Sequence, residues 1–309
     1  MDIANSNISF IIPAFNCAST LAESVESITE GNLTSGDEII IVNDASTDDT
    51  LKVSLELQKK YAGVIKIISH RINKGSAAAA RNTAIDASNK ELLFCLDADN
   101  LLSPGSVLPL KNYLIQTQSD CAAFGEIRFF VDSITNCSQT WVMNAVCTFI
   151  DNINCNKETP CSSGNYLFTK SSWRKAGRYS EDVGGAFDSW AFGCKQLATG
   201  SKMVTLKDTF YYHRVSPDST FLREVTKHNV SLLITRILIP YFEQLRGEDI
   251  NYILSPENRY TWFDNIHQHP IRLANQEQRP IGARAPIAQN EPTVGEMFRF
   301  IKAKIKRRL

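Results

Sequence analysis

The sequence predicts an α/β protein built on a mostly parallel sheet with helices on both faces. Three observations carry this reading. Apolar runs of strand length alternate with segments of helical periodicity through the N-terminal third of the chain. Those runs are apolar at consecutive positions, as strands buried on both faces are. Three of them also end in acidic or amide residues, where such sheets bind ligands: the crevice beyond the carboxyl ends of the strands.

The elements follow in order. "ISFIIPAF" is the first strand. Thr20 and Glu23 then form a capping box for a helix with Leu21, Val25 and Ile28 on its apolar face, and Gly31 ends it. "EIIIV" is the second strand, and "STDDT" offers hydroxyls and carboxylates to cap a helix through "LKVSLELQKKY". "VIKIIS" is the third strand, "GSAAAARNTAIDAS" a helix, and "ELLFCL" the fourth strand. Ser103 and Pro104 cap and begin the next helix. From Cys121 the pattern becomes mixed: "CAAFGEIRFF" and "MVTL…TFYYH" are strand candidates, and "VSLLITRILIPYFEQL" is a helix with a kink at Pro240. Residues 270–292 are rich in Pro, Gln, Asn and Ala and read as a linker. Residues 293–309 read as a basic helix whose apolar stripe is Val294, Met297, Phe298, Ile301 and Ile305.

Lys plus Arg and Asp plus Glu each number 33 in 309 residues, so no bulk charge points to nucleic acid. The start, "MDIANSNISFIIPAF", is acidic and its apolar run is too short for a signal peptide or a membrane span, and no other segment is long and apolar enough to cross a bilayer. Of eight cysteines, Cys137, Cys147, Cys155 and Cys161 cluster mid-chain without a CxxC pair, which reads as buried free thiols and not a zinc site. Reduced thiols suggest the cytosol, and with it an unglycosylated "NLT" at Asn32.

Chemistry concentrates in the loops. In "LDADN" an extended chain would point Asp97 and Asp99 to one side and Ala98 to the other. Two like charges sharing a side favour a cation. The order "IIPAFN", "IIIVNDASTDDT", "NKGSAAAARNTAI" and "LDADN" resembles the nucleotide-sugar-binding half of the family 2 glycosyltransferases of GT-A fold. "GNYLFTKSSWRKAGRYSED" and "FDSWAFGCKQLATG" resemble that family's acceptor side. The resemblance covers residues 8–220 and rests on order and spacing, since Asp-x-Asp alone is common.

The resemblance implies residues 1–220 as a GT-A domain, divided into a nucleotide-sugar-binding half (1–105) and an acceptor-side half (106–220). A helical extension (221–269), the linker and the basic tail follow. It implies inverting transfer of a sugar from a nucleotide-sugar donor, a UDP-sugar, to the hydroxyl of an acceptor glycan or glycolipid. Mn2+ or Mg2+ would balance the diphosphate charge. Asp99 is then the metal ligand, Asp97 meets the ribose or a metal-bound water, and Asn100 stands where the family often has a further Asp. Pro13, Ala14, Phe15 and Asn16 lay their backbone along the base, and Asp44 contacts base or ribose, although Asn43 and Ala45 depart from the usual Asp-Asp-Gly-Ser. Lys74 and Arg81 are the cations in reach of a diphosphate, Arg bidentately, with Gly75 allowing close backbone approach.

Aligned on Trp190, the family's base position holds Ser189, so Asp188 is the candidate base; it would equally suit a helix N-cap. Ser216 holds the place of a family histidine that completes the metal site. His213 is the nearest imidazole, either a ligand or a packed core residue. His267 and His269 lie by the linker without a partner and are set aside. Ser189 and Ser216 also keep open a protein that binds nucleotide-sugar without transferring it. No GxGxxG follows the first strand, against a dehydrogenase. The tail suits an anionic membrane surface, at the inner face, or docking on its own domain or on a partner.

Overall fold

A computed structural model describes residues 6–274 apart from 144, 155–160, 184 and 217–218. The basic tail, most of the linker and Cys155 lie outside the described residues. The chain begins β1 (Ile8–Ala14), α1 (Leu21–Thr29), β2 (Glu38–Asn43), α2 (Thr50–Lys60), β3 (Ile65–Ser69), α3 (Ala77–Ala87) and β4 (Leu92–Cys95), the alternation expected from the sequence. Then come β5 (Leu101–Leu102), α4 (Val107–Gln116), β6 (Cys121–Phe130), β7 (Gln139–Val142), β8 (Val146–Cys147), α5 (Phe149–Asn154), β9 (Tyr166–Thr169), α6 (Lys170–Lys175), α7 (Asp188–Ala198) and β10 (Met203–Arg214). Three helices close the described chain: α8 (Thr220–Lys227), α9 (Val230–Leu238) and α10 (Gly247–Leu254).

The strands form one sheet in the order β3-β2-β1-β4-β9-β6-β10-β5, with β7 on β6 and β8 on β10. The first four strands are all parallel. Beyond them the sheet is mixed: β9 runs antiparallel between β4 and β6, and β6 pairs parallel with β10. The chain moves outward from β1 to β3 and returns to place β4 on the other side of β1. That reversal is a topological switch point, and sheets of this kind bind ligands in the crevice at the carboxyl ends of the strands there, here β1 and β4.

Both faces of the sheet are buried, which is why the strands are apolar at consecutive positions. On one face Phe10, Ile12, Ile39, Ile41 and Phe94 pack with Leu21, Val25 and Ile28 of α1 and Leu110 and Leu114 of α4. On the other, Ile11, Ile40, Val42 and Leu93 meet Ala80, Ala84 and Ile85 of α3 and Phe192 of α7. Each fully buried large side chain contributes about 1.5–3 kcal/mol. A third cluster joins Ile234, Ile237 and Leu238 of α9, Ile253 of α10 and the buried Trp262 to Trp190 and Cys194 of α7. The C-terminal helices therefore brace the helix that starts at Asp188.

Several local expectations change. Thr20 makes no side-chain cap on α1. Its hydroxyl donates to the Ala98 carbonyl at 2.9 Å, and Glu23 pairs with Arg214. Tertiary partners took both halves of the expected box. Helix α4 starts at Val107, not Pro104, because Asn32 Oδ1 accepts the Val107 N–H at 3.0 Å from across the fold. Asn32 is buried with its amide donating to Ser27 and Ser103, so its sequon is inaccessible in the folded chain. Pro240 does not kink a continuous helix: α9 ends at Leu238 and a 3-10 turn, Ile239–Gln244, takes over. Among the described residues Cys17, Cys95 and Cys137 are free thiols, and no helix is long and apolar enough to cross a membrane.

Candidate active site

The loops after β1, β2 and β4 are stitched together. Pro13 and Ala14 end β1 in register with Val42 and Asn43 of β2, and the Asp44 N–H donates to Ala14 O at 2.8 Å. Asn16, in the left-handed region (φ 48°), accepts the Thr47 N–H at 2.8 Å and donates its own N–H to Ser46 Oγ at 3.1 Å. Asp48 Oδ2 accepts the Ala18 N–H at 3.1 Å while Oδ1 accepts that of Thr50 at 2.9 Å. "STDDT" thus ties two loops together besides starting α2. The Thr20 hydroxyl on Ala98 brings in the third loop. Phe15 is left 43% exposed at this junction.

Asp44 is buried. Its Oδ1 faces His70 Nδ1 at 2.5 Å, and both carboxylate oxygens lie 3.1 Å from the Lys74 N–H. The Lys74 side chain is exposed, and Gly75 turns the loop with φ 74°. This group fixes the wall of the crevice beside β2.

Arg81 organises the other group. It sits inside α3, and its sequence neighbours are alanines and Asn82, so its long side chain alone reaches the crevice. It is 3% exposed; Nη1 donates to Asp188 Oδ2 and Nη2 to Asp97 Oδ1 at 2.5 Å. Only its buried Nε lacks an acceptor among the described residues. The sequence reading gave Arg81 to a diphosphate; the structure has it bridging two carboxylates, both within the predicted set. Asp97 Oδ2 accepts from Asn165 at 3.2 Å and Asn100 at 3.3 Å. Burial works to raise the Asp97 proton affinity, but the Arg81 charge together with His213 and the hydrogen bonds from Arg81 and Asn165 holds this carboxyl below its ordinary range. Asp188, first residue of α7, goes the other way: burial raises its proton affinity more than Arg81 lowers it.

Asp99 is different in kind. No side chain among the described residues hydrogen-bonds its carboxylate, and burial together with the neighbouring Asp97 charge pushes it up to about 7. A carboxylate so placed gains from a cation. Arg214 is the cation the sequence reading missed. Its Nε donates to Asp99 O at 3.1 Å and its backbone N–H to Asn100 Oδ1 at 3.0 Å. Its position directly after His213, in the stretch singled out for chemistry, was the available signal. Asn165 and His70 gave no such signal, since strand pairing alone brings them in.

Does the site fit a divalent metal? Among the described residues no three His, Cys, Asp or Glu side chains are grouped to hold an ion. His213 Nδ1 lies 3.3 Å from Asn100 Nδ2, its ring packs on Phe129, and burial lowers its proton affinity. That is the packed-residue alternative for His213, beside Asp97. The described residues therefore form no full protein cage. One or two carboxylates do suffice for Mg2+ or Mn2+ when phosphates and water complete the shell, and Asp99 is the residue whose carboxylate would serve such an arrangement.

The family model for glycosyl transferase family 2 matches residues 9–175, more than half of the chain. Two curated relatives align over 114 residues, 37% of this chain. The poly(ribitol-phosphate) beta-glucosyltransferase of Bacillus spizizenii is 32% identical, and the poly(ribitol-phosphate) beta-N-acetylglucosaminyltransferase TarP of Staphylococcus aureus 34%. The aligned stretch spans only 18% and 34% of those two proteins. Among solved structures, S. aureus TarS 1–349 in complex with UDP superposes with a TM-score of 0.60 at 18% identity, covering 82% of this chain and 73% of that one. The mannosyltransferase PcManGT from Pyrobaculum calidifontis, in complex with GDP-Man and Mn2+, gives 0.57 at 17%, covering 85% and 69%. At such identities the likeness concerns the fold, which is GT-A. With residues 9–175 matched and this fold shared, the chain belongs to glycosyl transferase family 2.

Proposed function

We propose that the protein transfers a sugar from a nucleotide-sugar donor, a UDP-sugar, to an acceptor hydroxyl on a glycan or glycolipid, with inversion at the anomeric carbon. The observation that carries this reading is the Asp97–Arg81–Asp188 bridge. It puts a carboxylate from the donor-side loop and one from the acceptor-side helix on a single guanidinium. Asp188 accepts the acceptor proton as the hydroxyl oxygen bonds the anomeric carbon and the bond to the diphosphate breaks. Its raised proton affinity suits a base of this kind. Arg81 holds it in place. Asp99 is the residue to hold a divalent ion, which when bound neutralises charge on the leaving diphosphate, and Arg214 and Lys74 add positive charge nearby. Phe15 and Asn16 border the base, and Asp44 reads it. Solved TarS carries UDP, and PcManGT carries a nucleotide sugar with Mn2+; both support the donor class.

The test is a panel of nucleotide sugars with Mn2+, scored for nucleoside diphosphate release with and without chelator. Chelator-sensitive release from a UDP-sugar is the expected outcome. The second reading, binding without transfer, is favoured by Ser189 at the family's base position. It prevails if UDP-sugars bind while no acceptor or water ever releases UDP.

A further inference from the structure

The residues on which nucleotide recognition has been placed leave out one that the structure sets against them. His70 follows β3 and is 10% exposed at its side chain. Nδ1 lies 2.5 Å from Asp44 Oδ1, and Nε2 lies 2.9 Å from the Thr83 hydroxyl on α3. A carboxylate only accepts, so Nδ1 carries a proton; in the neutral ring Nε2 then accepts from Thr83. The backbone of His70 is anchored separately, its N–H donating to Asn43 O at 2.9 Å. One end of the imidazole is fixed by α3 and the other fixes Asp44.

The consequence falls on the carboxylate. Among the described residues, Oδ1 takes His70 and a share of the Lys74 N–H, while Oδ2 takes only the other share of that N–H. Oδ2 therefore keeps acceptor capacity that Oδ1 has spent. With 6% of its side chain exposed, Asp44 has little freedom to exchange the two. A carboxylate oriented in this way distinguishes a base edge that presents an N–H from one that presents a lone pair. Uracil has the N–H at N3; cytosine has the lone pair there. A site built around a hydrogen bond rejects the analogue lacking it far more strongly than an apolar pocket rejects a missing methylene.

We propose that His70, locked by Thr83, is a positioning residue that sets base selectivity by orienting Asp44. This rests on the reading of Asp44 as the base contact. The experiment measures UDP and CDP affinity by calorimetry, in the presence of Mn2+, for the wild type and for His70→Ala, His70→Asn, Thr83→Val and Asp44→Asn. His70→Ala should cut the UDP-over-CDP preference at least tenfold. His70→Asn, whose amide reproduces the Nδ1 donor, should restore most of it, and Thr83→Val should show an intermediate loss with a native circular-dichroism spectrum. If Asp44→Asn abolishes the preference but neither His70→Ala nor Thr83→Val changes it, the role of His70 is overturned while Asp44 stands. If Asp44→Asn leaves the preference intact, Asp44 does not read the base, and the proposal falls with that reading. A merely structural role would weaken both nucleotides together and leave their ratio unchanged, which also overturns it.

Discussion

Ala45 stands in the loop after β2 with φ 55°, in the left-handed region that costs a residue with a Cβ about 1–2 kcal/mol. Glycine removes that strain and gives back part of the gain through unfolded-chain entropy. Ala45→Gly should raise stability by about 1 kcal/mol, read as a shift of the urea midpoint with an unchanged slope. A second expectation concerns chemistry. Asp188→Asn keeps the volume and a hydrogen-bonding group for Arg81 but removes the base. Turnover should fall by about 10²–10⁴-fold with UDP affinity changed less than threefold, while Ser189→Ala should change turnover little. A reversed result would remove Asp188 as the base and leave it as the first residue of α7, accepting the Ser189 N–H and holding Arg81.

The element that starts α2 has a pH dependence with a defined sign. Slight burial works to raise the Asp48 proton affinity, but hydrogen bonds from Thr50 and the Ala18 amide hold it below its ordinary value. A depressed folded pKa means the stabilisation is present above the unfolded value of about 3.9 and is lost as pH falls through the folded one. Asp48→Asn should therefore destabilise the fold at pH 7, by a small amount because the residue is exposed and its charge is screened, and the difference should shrink as pH falls through the folded pKa. Denaturant melts across pH test this. Legibility at this scale was uneven for a physical reason. The strands and helices of the parallel half were legible because each buries both faces or one clear stripe in a local repeat. The caps were not: Thr20 and Glu23 serve Ala98 and Arg214 in place of α1, and the start of α4 is set by Asn32 and not by Ser103 and Pro104. In the site, carboxylates at strand ends could be read from order alone. The Arg81 bridge and the His70 support could not, because each joins segments that only the sheet order makes neighbours.

At the scale of the molecule, the C-terminal helices contribute a core that the site borrows. Trp262 is fully buried, and its indole N–H reaches Thr235 Oγ1 at 2.9 Å. Trp262→Ala should cost about 3–5 kcal/mol and, by loosening the packing behind Trp190, lower turnover more than nucleotide affinity. Calorimetric unfolding and steady-state kinetics on one preparation test both. The guanidinium bridge between α3 and α7 spans 107 positions of sequence. A chain emerging from the ribosome can pair Arg81 with Asp97 early, yet it has nothing to complete the constellation until α7 has been made and the sheet behind it has closed. On the proposed reading, a nascent or clipped fragment ending before Asp188 has the Arg81–Asp97 pair but lacks the second carboxylate of the bridge, so it should bind nucleotide without transferring sugar.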